Sequence, residues 1–152
     1  MPTLRFHIVI QRSCETVYQT LADIAGYNSW LFGSQIYRET TSSSDYPVHV
    51  GSTYEDHGRS SVMQGQVTEL VPGKVVAFRQ TTHAVSDGKR RGLDIAVRYR
   101  LTPLGQGTRV ERSVRLDAHG SLFLLFPFLL PPIYRENQRI MQALKKYLEA
   151  RV

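Results

Sequence analysis

The chain is almost without cysteine: Cys14 stands alone among 152 residues. A lone thiol cannot close an internal disulfide, so nothing points to a secreted disulfide framework. Nor can it build a structural zinc site. Acidic residues are the minority charge, 13 against 19 Lys and Arg, for a net +6. The surplus is scattered through Arg5, Arg12, Arg38, Arg59, Arg79, Arg98, Arg109 and Arg115, and its densest group, "GKRRG" at 88–92, has the flanking glycines of a hairpin tip. No zinc-finger spacing, basic zipper or aromatic ribonucleoprotein motif accompanies it, so no nucleic-acid partner is expected. Long apolar runs are missing too. "MPTLRFHIVIQRS" lacks the apolar core and small-residue cleavage site of a signal peptide. The greasiest stretch, Leu122–Ile133, falls short of the roughly 20 residues of a spanning helix and is interrupted by Pro127, Pro131 and Pro132. A cytoplasmic protein with no transmembrane segment is the simplest expectation. There is no nucleophile elbow, phosphate-binding glycine loop or metal triad. His7, His49, His57, His83 and His119 show no metal-ligand spacing. No metal or other cofactor is expected.

What is present is an ordinary globular balance, 41% hydrophobic and 21% charged, in a length that suits one domain over 1–152. "LRFHIVIQ" alternates as a half-buried strand with Leu4, Phe6, Ile8 and Ile10 on one face. Ser13 then suits the cap of a helix, with Glu15 in its first turn and Val17, Leu21 and Ile24 on its apolar stripe; Gly26 is the expected stop. "YNSWLF" reads as a second short helix or turn, and Thr40–Gly51 as a polar loop within a hairpin. Strands are predicted over Ser52–His57, Ser61–Val71, Val75–Thr82, Leu93–Thr102 and Thr108–Leu116, joined by turn-rich connectors. The spacing of Ile140, Met141, Leu144 and Leu148 predicts a long amphipathic terminal helix, with its start expected near Pro131 or Pro132. Helices segregated from an antiparallel meander make an α+β fold.

The pieces and their order resemble the SRPBCC superfamily, the helix-grip fold of polyketide cyclase/dehydratase-like and START-like lipid-binding proteins. The resemblance rests on "FHIVIQRSCETVYQTLADIAGYNSW", "VGSTYE", "GQVTELVPGKVVAFR", "VRYRLTPLGQGTRVER" and "ALKKYLEA", which span nearly the whole chain. It implies a curved antiparallel sheet of about seven strands wrapped around the terminal helix, two short helices after the first strand, and an elongated apolar cavity. The ligands it implies are small hydrophobic molecules, lipids or polyketide-like compounds. Activities vary widely across such a fold.

Strand alternation names the inward residues independently. Leu93, Ile95, Val97, Tyr99 and Leu101 share one face, as do Val110, Arg112, Val114 and Leu116; the opposite faces carry Arg98, Arg100, Arg109, Glu111 and Arg115. A one-residue slip would bury those charges, so the apolar faces point inward. The turn "PLGQG" allows two registers, with Tyr99 directly opposite Arg112 or diagonal to it. A buried arginine is costly unless paired. Arg112 must meet a carboxylate, a carbonyl, an aromatic face or a ligand oxygen, or else snorkel to solvent at the strand's end. Val76, Phe78, Gln80 and Thr82 form the next inward set. Met63 and Val67 are further wall candidates, although "SVMQGQVTEL" alternates poorly, and Trp30 and Tyr54 are placed to close the cavity ends. Asp56 shares a strand face with Tyr54 and is the candidate general base.

The expected cavity is thus lined by Trp30, Tyr54, Met63, Phe78, Val97, Tyr99, Arg112 and Val114 from the sheet side. Phe126, Leu130, Met141 and Leu144 complete it from the helix side. Leu122, Phe126, Leu130 and Ile133 are expected to form a lid, leaving Phe123, Phe128 and Leu129 to a second copy or a membrane surface. A hydrophobic-ligand binder is the leading reading. A cyclase/dehydratase-type enzyme using Arg112, Tyr99 or Asp56 is the alternative, and an interaction or membrane-surface protein is the third.

Overall fold

The structure is a computed structural model that describes residues 3–31, 39–42, 48–57, 62–82, 84–86, 89–119 and 121–150. The chain opens with β1 (Thr3–Ile10) and α1 (Cys14–Ala22). Ser13 caps α1 as its sequence suggests: the Thr16 N–H donates to Ser13 Oγ at 3.2 Å. The helix buries Val17 and Leu21 but stops at Ala22, before Gly26. Asp23 closes it by donating its N–H to Gln19 O, and the chain tightens into a 3₁₀-helix, Ile24–Ser29. Tyr27 is the physical reason: its buried hydroxyl donates to Leu21 O at 2.5 Å and folds the tighter turn back onto the end of α1. One α-helix and one 3₁₀-helix therefore stand where two short helices were expected.

The strands that follow are β2 (Glu39–Ser42), β3 (Thr53–His57), β4 (Val62–Val71), β5 (Val75–Thr82), β6 (Ala84–Ser86), β7 (Lys89–Leu104) and β8 (Gly107–His119). Seven run in the order β1-β8-β7-β5-β4-β3-β2, all neighbours antiparallel, and β6 pairs β7 off this path. Two strands depart from the sequence reading. The expected loop at Thr40 begins as an edge strand, Thr40 facing Asp56 across the β2–β3 pair. The "GKRRG" residues Lys89–Arg91 form no free tip but pair with Ala84–Ser86, extending β7 backwards. The poor alternation of "SVMQGQVTEL" has a cause: the register with β5 shifts between Val67 and Glu69, where a bulge breaks the period of two.

The terminal helix α2 spans Ser121–Ala150. It starts ten residues before Pro131 and carries Pro127, Pro131 and Pro132 inside it. Each proline removes a donor and crowds the preceding turn. Here all three lie on the exposed side, while Phe126, Leu130 and Ile133 pack against the core. Burial of that apolar face is the term that offsets the lost hydrogen bonds. Farther along, Met141, Leu144 and Leu148 are buried against the sheet. The last turn is clasped to the end of β1: Glu149 accepts the Gln11 N–H at 2.9 Å, and Lys145 Nζ donates to Val9 O at 2.6 Å and to Glu149 at 2.9 Å. No described helix is long and apolar enough to cross a membrane.

The hydrogen bond from Lys145, then that from the Gln11 N–H, holds the Glu149 carboxyl below its ordinary pKa. A depressed folded-state pKa contributes stability above the unfolded-state value and loses it as pH falls through the folded one. The melting temperature of Glu149→Gln should therefore lie below that of the parent at neutral pH, the gap closing as the pH falls through the lowered Glu149 pKa in a thermal-denaturation series. A second outcome concerns Gly65, on which the Tyr54 ring lies so closely that an added Cβ would fall inside it. Gly65→Ala should cost about 1–3 kcal/mol in urea denaturation and change the near-ultraviolet dichroism of the displaced tyrosine.

Candidate functional site

The concave face of the sheet is built by period-two alternation. Val97, Tyr99 and Leu101 of β7 and Val110, Val114 and Leu116 of β8 are buried, while Arg98, Arg100, Arg109 and Arg115 stand outside. Pairing places Tyr99 directly opposite Arg112, and Arg112 opposite Phe6 of β1. Rings continue across the sheet from there: Phe78 lies 6.3 Å from Tyr99, and Tyr54 lies 5.9 Å from Phe78, edge to face. Gln80 donates to the Tyr54 hydroxyl at 3.0 Å. An aromatic row thus runs from β3 through β5 to β7 and ends on a guanidinium.

Arg112 does not snorkel. It is 6% exposed, held inside by three kinds of contact. Its Nε donates to Asn137 Oδ1 at 2.8 Å, its Nη1 donates to the Tyr99 hydroxyl, and its Cζ sits 5.0 Å from the Tyr99 ring centroid. Asn137 is itself buried and oriented by its Nδ2, which donates to Ile133 O one turn back in α2 at 2.8 Å. The cluster therefore joins β8, β7 and α2. Among the described residues no carboxylate joins it.

Asn137 is the residue that sequence reasoning missed. It sits in the inward stripe Leu130, Ile133, Asn137, Met141, Leu144, Leu148, a polar break at helical spacing in an otherwise apolar series. That break was the available signal, and it faces the strand residue that needed a partner. Of the expected lining residues, Tyr54, Phe78, Val97, Tyr99, Arg112, Val114, Met141 and Leu144 are buried together in or against the core, with Trp30 at the α1 end. Phe126 and Leu130 are half-buried against it. The backbone of Met63 pairs with Asp56 and Thr82. The side chains of Met63, Asp56, Thr82, Leu122 and Phe123, and the whole of His83, lie outside the described residues.

Two clefts reach core residues from outside. One, about 540 Å³, runs between β1 and α2 over Phe6, Tyr134 and Met141. The other, about 450 Å³, lies at the α1 end over Trp30, Tyr147 and Leu148. Phe6 and Tyr134 stack 5.0 Å apart at the first.

The model of a family described as polyketide cyclase / dehydrase and lipid transport matches residues 1–149. The chain belongs to that family. A search of curated proteins returned no match. Among solved structures the chain is similar to protein CV1439 from Chromobacterium violaceum, with a TM-score of 0.71 at 19% identity over 98% of this chain and 99% of that one. It is similar to a START superfamily protein from Mycobacterium smegmatis, with a TM-score of 0.68 at 14% identity over 99% of each chain. A third likeness is to the Aha1 dimer from Colwellia psychrerythraea, with a TM-score of 0.61 at 20% identity over 98% of this chain and 97% of that one. These likenesses show the helix-grip fold. The space between the sheet and α2 is the hydrophobic-ligand cavity of such a family member.

The buried cluster makes a thermodynamic prediction. Asn137→Leu removes the acceptor that Arg112 Nε uses inside the protein and should destabilise by roughly 1–3 kcal/mol. In an Arg112→Met background, where no guanidinium is left to satisfy, the same change should cost far less. A double-mutant cycle by urea denaturation measures the difference.

Proposed function

We propose that the protein binds a hydrophobic small molecule of lipid or polyketide type between the sheet and α2, and holds it without transforming it. One observation carries the reading: a continuous apolar and aromatic concave face is covered by a helix, and its only strong polar feature among the described residues is the Arg112–Tyr99–Asn137 cluster. Apolar walls with a few convergent polar groups are the usual character of a small-molecule site. Tyr54, Phe78, Val97, Tyr99, Arg112 and Val114 form the sheet wall of this proposed site. Phe126, Leu130, Met141 and Leu144 form the helix wall, and Trp30 closes one end.

The pairing of Arg112 with Tyr99 supports a second reading, a cyclase/dehydratase-type enzyme that polarises a ligand carbonyl. Proton abstraction would also need a base within hydrogen-bond reach. The hydrogen bonds of the pair run to Asn137 and between Arg112 and Tyr99, and the side chain of the candidate base Asp56 lies outside the described residues. The outer side of α2 bears on the assembly. Leu124 and Phe128, one helical turn apart, are each 77% exposed, and a second copy of the chain is the partner proposed to cover them.

Native mass spectrometry of gently purified protein tests both statements. The expected spectrum shows the chain carrying extra mass of a few hundred daltons that organic extraction removes. A filling substitution, Val97→Trp, should abolish that mass while the protein stays folded by circular dichroism. Bare protein that also takes up no added apolar compound would refute the binding reading, and a monomer at all concentrations would refute the proposed pairing.

A further inference from the structure

Three arginines at or near the surface have acids beside them. Arg98 lies 3.4 Å from Glu69 and Arg109 lies 3.3 Å from Glu111, while Arg139 pairs with Glu136 one turn away on α2. The buried one does not. A guanidinium carries donors only, more of them than two partners consume. Arg112 gives one hydrogen to Asn137 and one to Tyr99, and among the described residues nothing accepts the rest or neutralises its charge. The Tyr99 hydroxyl is in the same position. It accepts from Arg112, and no acceptor among the described residues takes its own hydrogen. Both groups are more than nine-tenths buried. The spare Arg112 N–H is not sealed from its surroundings, and a buried cation with only neutral partners favours an anion or a strong acceptor there.

The cleft between β1 and α2 has the matching sign. Arg5, Arg135 and Arg139 stand in its lining, and no Asp or Glu does. Its floor is Phe6, the strand partner of Arg112 across the β1–β8 pair. An apolar molecule with a negative head meets cationic walls on the outside and, on the neighbouring strand, a buried cation whose hydrogen-bond partners are neutral.

We infer that the ligand carries an anionic oxygen head, a carboxylate on an apolar chain, seated on the Arg112 guanidinium and the Tyr99 hydroxyl. This rests on the ligand-binding reading above and adds the ligand's chemical class. Carboxylate accepts from guanidinium in a charge-assisted, two-pronged geometry. The Tyr99 hydroxyl supplies a further donor to one of the same oxygens. The aromatic and apolar row from Phe78 to Tyr54 receives the chain.

The test compares myristate with its methyl ester, which keeps the chain and removes the charge, on the full delipidated protein by isothermal titration calorimetry. The parent protein should bind the acid roughly ten- to a hundred-fold more tightly than the ester. Arg112→Met should remove that preference and Tyr99→Phe should reduce it. Equal binding of acid and ester to the parent, or a preference that survives Arg112→Met, overturns the inference and leaves the binding reading standing. Failure of both compounds to bind overturns both. The comparison on the parent protein is decisive alone if Arg112→Met does not fold.

Discussion

A positive charge placed inside an apolar sheet constrains everything around it. Arg112 cannot leave the interior without turning the whole of β8 over, because Val110, Val114 and Leu116 are buried on the same face. It must therefore find oxygens where it is. The register supplies one from directly across the β7–β8 pair, Tyr99, and the helix supplies the other, Asn137. The second bond matters for architecture. An apolar stripe alone lets a helix slide or rotate against a sheet at modest cost, since Leu, Ile and Met are interchangeable packing volumes. A polar residue at one position of the stripe has a single acceptable neighbour, as a buried Asn does in a coiled coil. Asn137 thus fixes where α2 sits along the sheet, and its own amide is fixed by Ile133 O.

The rest of the concave face is arranged to surround that point with rings. Tyr54 reaches the aromatic row only because β4 has a glycine beneath it; any side chain at position 65 would occupy the space of the ring. Phe78 then bridges Tyr54 to Tyr99. The outside of the same strands carries the charge. Arg98, Arg100, Arg109 and Arg115 alternate with the buried set, so a slip by one residue would exchange a greasy face for four guanidinium groups. The basic surplus of the composition is in part a device of sheet registration.

Much of this was legible in the residues, for identifiable reasons. β7 and β8 alternate strictly, so their faces, the burial of Tyr99 and the singular position of Arg112 follow from period two alone. The cap at Ser13 is a local hydrogen bond and was readable as such. What failed was decided by distant contacts. Gly26 reads as a helix stop, but the Tyr27 hydroxyl ends α1 earlier by binding Leu21 O. Pro131 and Pro132 read as the start of the terminal helix, but packing of Phe126, Leu130 and Ile133 keeps the chain helical from Ser121. Lys89–Arg91 read as a tip because the partner that makes them a strand, Ala84–Ser86, is too short to show a period. At the site, the partner of Arg112 lies 25 residues away on another element, and only the polar break in an apolar stripe pointed to it.

The two halves of α2 are held by different means. The C-terminal half has nearly complete burial of Met141, Leu144 and Leu148 and a polar clasp from Lys145 and Glu149 to the end of β1. In the N-terminal half the described side chains are half-buried or exposed, and its prolines leave backbone carbonyls of the preceding turns without helical donors. Stability within one domain is rarely uniform, and segments with few buried contacts and interrupted hydrogen bonding open first. Asn137 lies at the boundary between the halves. The bond that holds the guanidinium in place is therefore also the last firm attachment before the weakly held half begins. Opening of Ser121–Leu130 would uncover the apolar side of the cavity while Arg112, Tyr99 and Asn137 kept their positions, Ile133 O still holding the Asn137 amide. A ligand gripped by its head at the cluster would then exchange its tail with the surroundings first.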